Sequence, residues 1–78
     1  MTAREITNIA NYAGRIIERL IGQMVAKNME KTRDNMLLEL QVIACDVSEK
    51  QGHELSKIQY RAFDQVNQMI CDLFDGEV

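Results

Sequence analysis

The sequence predicts an all-α protein: a three-helix antiparallel bundle, or a helical hairpin with a long first helix, that assembles as a dimer. Three observations predict it. Apolar residues recur at helical spacing, the chain has no proline and only four glycines, and its middle segment is apolar on two sides. With 46% hydrophobic and 27% charged residues in 78 positions, we expect one folded domain covering residues 1–78.

The first helix is predicted over residues 3–28. Thr2 and Glu5 have the spacing of a capping box, in which the two side chains satisfy free backbone donors at a helix start. One face then carries a continuous apolar arc: Ile6, Ile9, Ala10, Ala13, Ile16, Ile17, Leu20, Ile21 and Met24. Lys27, Asn28 and Lys31 interrupt this arc, so we expect the helix to end there with Asn28 as its C-cap.

No glycine or proline enforces the break after residue 28, and this leaves an alternative open. A single helix from Thr2 to Gln51 would align the apolar arc of the first helix with Leu38, Val42 and Cys45, as in a long dimeric coiled coil.

The second helix is predicted over residues 34–51, from Asp34 to the residue before Gly52. At 100° per residue, its apolar side chains fall on two nearly opposite sides. The broader stripe comprises Met36, Leu37, Leu40, Ile43, Ala44 and Val47, and the narrower one comprises Leu38, Val42 and Cys45. A helix that is apolar on two sides must be covered on two sides, by its own chain or by another.

The third helix is predicted over residues 56–75, after a short turn that begins at Gly52. Ser56 and Gln59 form a second capping box. A core-facing stripe follows it: Ile58, Ala62, Val66, Met69, Ile70 and Leu73.

The predicted lengths indicate self-association. The first helix would overhang its neighbours by about 10 Å and expose Ile6 and Ile9. Together with the narrower stripe of the second helix, this exceeds the apolar surface that one chain can hide. We therefore predict a homodimer, since two-fold assemblies are the commonest, with five contact residues: Ile6, Ile9, Leu38, Val42 and Cys45.

Charge is unevenly distributed along the chain. Residues 1–33 hold six basic and three acidic side chains, whereas residues 34–78 hold three basic and nine acidic ones. This asymmetry predicts either complementarity between the chain's own helices or docking to another molecule. The polar face of the first helix is the predicted partner-binding surface, and it carries Arg4, Asn8, Asn11, Arg15 and Arg19.

That face favours an acidic protein as partner, and the alternative is a small nucleic-acid-binding regulator that uses the same arginines and asparagines. A pI near 5.0 and the absence of an aromatic stacking platform argue against nucleic acid.

We predict no catalytic residue, metal site or cofactor. His53 is the only histidine and is interpreted as a solvated turn residue; no glycine-rich phosphate loop occurs, and Cys45 and Cys71 lack metal-ligand spacing. We expect a cytoplasmic protein for three reasons: the two cysteines suit a reducing compartment, no apolar run occurs at the N-terminus, and no apolar segment is long enough to cross a membrane. The predicted function is that of a non-catalytic interaction module, a homodimeric adaptor, chaperone or inhibitor of a partner protein.

Overall fold

The structure is a computed structural model that describes residues 1–75, and these residues form three helices: α1 (Ala3–Ala26), α2 (Arg33–Gln51) and α3 (Lys57–Leu73). All three helices contact one another, so the predicted all-α three-helix bundle is confirmed. The alternative of one continuous helix through residue 51 is wrong, because the chain reverses between α1 and α2.

That reversal depends on Asn28, which has a positive φ of 54°. Asparagine tolerates this left-handed conformation better than most residues, so α1 ends without a glycine. The Met29 N–H donates to the Met24 carbonyl at 2.9 Å and the Asn28 N–H to the Val25 carbonyl at 3.1 Å, the two bonds of a Schellman motif. Thr32 then caps α2 through a hydrogen bond accepted from the Asn35 N–H.

The predicted capping box of Ser56 and Gln59 is confirmed in both directions. At the start of α1 only half of the predicted box forms: the Thr2 hydroxyl accepts the Glu5 N–H, and the Glu5 carboxylate accepts from the Thr2 hydroxyl rather than from the backbone. Gly52 ends α2 in the left-handed conformation, with φ of 75°.

The helices run up, down and up. Arg19 and Lys27 of α1 pair with Asp46 and Glu39 of α2, so these two helices are antiparallel. Because α3 also runs against α2, α1 and α3 are parallel. The core between them is formed by Ile9, Ala13, Ile16, Leu20, Met24, Leu40, Ile43, Ala62, Phe63, Val66 and Ile70. No helix within residues 1–75 has the combination of length and apolar content required to cross a membrane.

The overhang of α1 is shorter than the sequence predicts. Ile6 is exposed, as expected, but Ile9 is only 5% exposed and belongs to the core. The Tyr12 hydroxyl accepts a hydrogen bond from the Gln59 amide, which places Tyr12 beside the first turn of α3. Ile9, three residues earlier, therefore lies level with the start of α3 and is covered there.

Candidate functional site

The most unusual surface of the molecule is the outer stripe of α2, which we define as Leu38, Val42 and Cys45. Leu38 is 60% exposed and Val42 44% exposed, and Cys45 is exposed as well. On the opposite side of the same helix, Leu40 and Ile43 are buried in the core. The broad stripe of α2 therefore faces inward, and the chain itself leaves the narrow stripe uncovered.

A polar cluster joins α1 to α2 on the side of α2 between these two stripes. Its members are Arg19, Gln23 and Lys27 from α1 and its C-cap, and Glu39 and Asp46 from α2. Glu39 is 2% exposed, and one of its carboxylate oxygens accepts from Lys27 Nζ at 2.5 Å and from Gln23 Nε2 at 2.7 Å. Two turns later Asp46 accepts from the Arg19 guanidinium. The cluster thus satisfies a carboxylate that would be costly to bury alone.

This cluster accounts for part of the charge asymmetry of the sequence. Basic residues of α1 meet acidic residues of α2 inside one chain, so part of the asymmetry is internal complementarity. The hydrogen bonds from Arg19, and next from Lys50 at 3.2 Å, hold the pKa of the Asp46 carboxyl below its usual range.

Arg19 is therefore placed differently from the sequence prediction. It lies at the edge of the polar face of α1, one turn before Gln23, and its Nε donates to the Gln23 amide oxygen at 2.7 Å while its Nη2 reaches Asp46. The other predicted partner-binding residues do lie on an exposed surface, which we call the α1 polar face: Arg4, Asn8, Asn11 and Arg15.

Charge-reversal variants should distinguish the roles of Arg19 and Arg15. Arg19→Glu sets a carboxylate against Asp46, so we expect the midpoint of thermal unfolding to fall by roughly 5 °C. Arg15→Glu is the matched control, since Arg15 is exposed and forms no salt bridge with residues 1–75, and it should move the midpoint by less than about 3 °C. Circular dichroism melts measure both. Equal shifts for the two variants would show that the Arg19–Asp46 pair contributes nothing.

The five residues predicted for self-association do not form one surface. Ile9 is in the core, which corrects the prediction that it is exposed. Ile6 lies near the start of α1, beyond the C-terminal end of α2, whereas Leu38 lies near the start of α2. From the pairing of Arg19 with Asp46, the helical rise places Ile6 about 30 Å from Leu38 along the bundle axis. The three residues of the outer stripe remain as a contiguous candidate.

A second apolar surface is uncovered, and it corrects the prediction that Met69 and Leu73 face the core, since both are exposed. It is the α1–α3 groove, whose floor is Leu20, Val66 and Ile70 and whose exposed rim is Ile21, Met69 and Leu73. Ile17 of α1 and Met36 of α2 also line it. The apolar arc of α1 packs against two helices, α2 and α3, and Ile21 at one edge of the arc remains exposed.

Chemistry-bearing side chains are scattered. Within residues 1–75, no three His, Cys, Asp or Glu side chains lie close enough together to hold a metal ion. His53 lies in the α2–α3 turn with its Nδ1 2.7 Å from the Glu54 carbonyl oxygen.

In comparisons with protein families, curated proteins and solved structures, nothing matches this chain.

Proposed function

We propose that this protein is a non-catalytic interaction module that forms a homodimer through the outer stripe of α2 and acts as an adaptor, chaperone or inhibitor of a partner protein. The observation that supports it is the exposure of Leu38, Val42 and Cys45 on a helix whose other side fills the core. Burying apolar surface stabilises an association by about 25 cal/mol per Å² before the entropic cost of binding. A contiguous apolar stripe is therefore a typical contact surface.

A second copy is the occupant that fits this stripe best. The spacing of the three side chains, four and then three residues, forms a ridge that can pack into the grooves of an identical ridge. Acidic residues on the same side bound the stripe at both ends, Asp34 and Glu49. A crossed packing of two helices at Val42 would keep these like charges apart, since crossed helices diverge away from the contact.

The α1 polar face is the surface that we propose for the partner protein. Its two arginines and two asparagines are exposed and lie on a different helix from the outer stripe. A dimer formed through α2 would therefore present two copies of the face. Exposed guanidinium groups suit carboxylates on an acidic partner.

Nucleic-acid binding is the weaker proposal for the same face. With Arg19 paired to Asp46, the face retains Arg4 and Arg15 as its cations. The chain carries a net charge of −3, so its electrostatic attraction to phosphates is small.

Thiol labelling tests the proposed dimer. Cys45 lies on the outer stripe, Cys71 is half-buried on α3, and both are free thiols. We expect the labelling rate of Cys45 to fall as protein concentration rises, because a second copy covers it, while the rate of Cys71 stays constant. Maleimide labelling followed by mass spectrometry of the two peptides measures both rates, with Cys71 as the internal control. Fast labelling of Cys45 at every concentration would contradict the dimer.

A further inference from the structure

The α1–α3 groove is the second place where the fold leaves an apolar surface open. It lies between two parallel helices, with Leu20, Val66 and Ile70 at its floor. Val25, one turn after Ile21, extends the exposed rim on α1, and Leu73 extends it on α3. Met69 stands at the centre of the rim, and methionine adapts its shape to different neighbours.

Two carboxylates lie beside this groove on α1 and α3, and one cation, Arg33, lies at its α2 end, three residues before Met36. Glu18 lies three residues before Ile21 and so shares its side of α1, and Asp72 lies three residues after Met69 on α3. Both carboxylates are exposed, and neither forms an ion pair with any residue between 1 and 75. The cations of this half of α1, Arg19 and Lys27, are already paired with α2.

We propose that the α1–α3 groove binds an amphipathic helix of another protein whose apolar stripe is flanked by lysine or arginine. A groove between two helices accepts a third helix by the packing that builds helical bundles, and the apolar anchors of the incoming helix recur every three or four residues. Basic flanks would meet Glu18 and Asp72. This inference rests on the proposed role as an interaction module and identifies the chemistry of a partner.

A second copy of this chain suits the groove poorly. The exposed apolar helix that a copy could offer is the outer stripe of α2, which is bounded by Asp34 and Glu49. These carboxylates would lie near Glu18 and Asp72, and like charges at a contact oppose association.

Two synthetic helical peptides of about 18 residues test the proposal, one with a leucine stripe flanked by lysines and one with the same stripe flanked by glutamates. Titration of the full chain, followed by amide NMR, should show that the lysine peptide binds and shifts the resonances around Ile21, Met69 and Leu73. The glutamate peptide should bind at least about tenfold more weakly. Equal affinity of the two peptides, or shifts confined to the outer stripe, would overturn the proposal.

Two leucines provide a matched pair of variants. Leu73 is 66% exposed in the groove and Leu38 is 60% exposed on the outer stripe. We expect Leu73→Ser to lower the affinity for the lysine peptide by about tenfold and Leu38→Ser to leave this affinity unchanged. Circular dichroism should confirm that both variants fold. If Leu73→Ser leaves the affinity unchanged, the proposal that the groove binds the peptide is wrong, and the proposed α2 dimer is not affected by this result. A wild-type chain that binds the lysine peptide but stays monomeric would contradict only the proposed homodimer.

Discussion

Lys27→Met is expected to lower the free energy of unfolding by about 2–4 kcal/mol, because it leaves the Glu39 carboxylate buried without its paired cation. The Glu39 side chain is 3% exposed, whereas the Lys27 side chain is 48% exposed and loses little solvation when it pairs. Without the lysine, Glu39 retains the single hydrogen bond from Gln23. Denaturant unfolding followed by circular dichroism measures the loss.

A double variant distinguishes the loss of the Lys27–Glu39 ion pair from the loss of side-chain packing. Adding Glu39→Leu to Lys27→Met removes the stranded charge, and we expect it to recover most of the stability, since replacing both partners of a buried pair is far less costly than removing one. Lys27→Arg, which keeps the positive charge, should cost less than about 1 kcal/mol. A loss below about 1 kcal/mol for Lys27→Met alone would show that Gln23 suffices to satisfy Glu39.

The polar cluster has a consequence for the orientation of α2. With apolar residues on two sides, α2 could turn either stripe toward the core, and apolar burial alone discriminates weakly between them. Glu39 lies about 100° from Leu38 around the helix, so the pairing with Lys27 fixes which side faces inward. Rotation of α2 would break both ion pairs with α1. The cluster thus holds the outer stripe toward solvent, where a second copy can reach it.

Val42→Glu is expected to weaken the proposed homodimer by about 100-fold or more, because it places a carboxylate at the centre of the outer stripe. Two copies of the variant would also bring two like charges together across the two-fold axis. The fold should persist, since Val42 is 44% exposed and a glutamate there can remain solvated in the monomer.

Val25→Glu is the matched control for this substitution. Val25 is also an exposed valine, but it lies on α1 beside the α1–α3 groove. We expect this variant to retain the mass of the wild type in light scattering while Val42→Glu becomes monomeric. If both variants, or neither, lose the dimer, the outer stripe is not its interface.

Helices were predictable because their signals are local. Capping residues such as Thr2 and Ser56 lie within three residues of the groups that they cap, and apolar periodicity reports on one helix at a time. The end of α1 was predictable because Asn28 is one of the few residue types that tolerate the left-handed conformation there. The C-cap itself is Lys27, and Asn28 follows it.

Relations between helices were harder to predict. Glu39 and Asp46 were recognisable as a polar strip on α2, and Lys27 as a charge that interrupts the arc of α1, but periodicity does not reveal that these residues meet. The spacing of Arg19, Gln23 and Lys27, four residues apart in each step, was the signal that a polar strip continues along α1. Likewise, Ile9 is buried because α3 begins beside it. The length of a helix alone does not determine where its neighbour begins.

The mass of the wild-type protein in solution tests the central claim most directly. Sedimentation equilibrium over a range of concentrations should show a mass that rises from that of the 9.0 kDa chain toward twice that value, about 18 kDa, as two outer stripes pair. A mass that stays at 9.0 kDa up to high micromolar concentration would contradict the claim that a second copy covers Leu38, Val42 and Cys45.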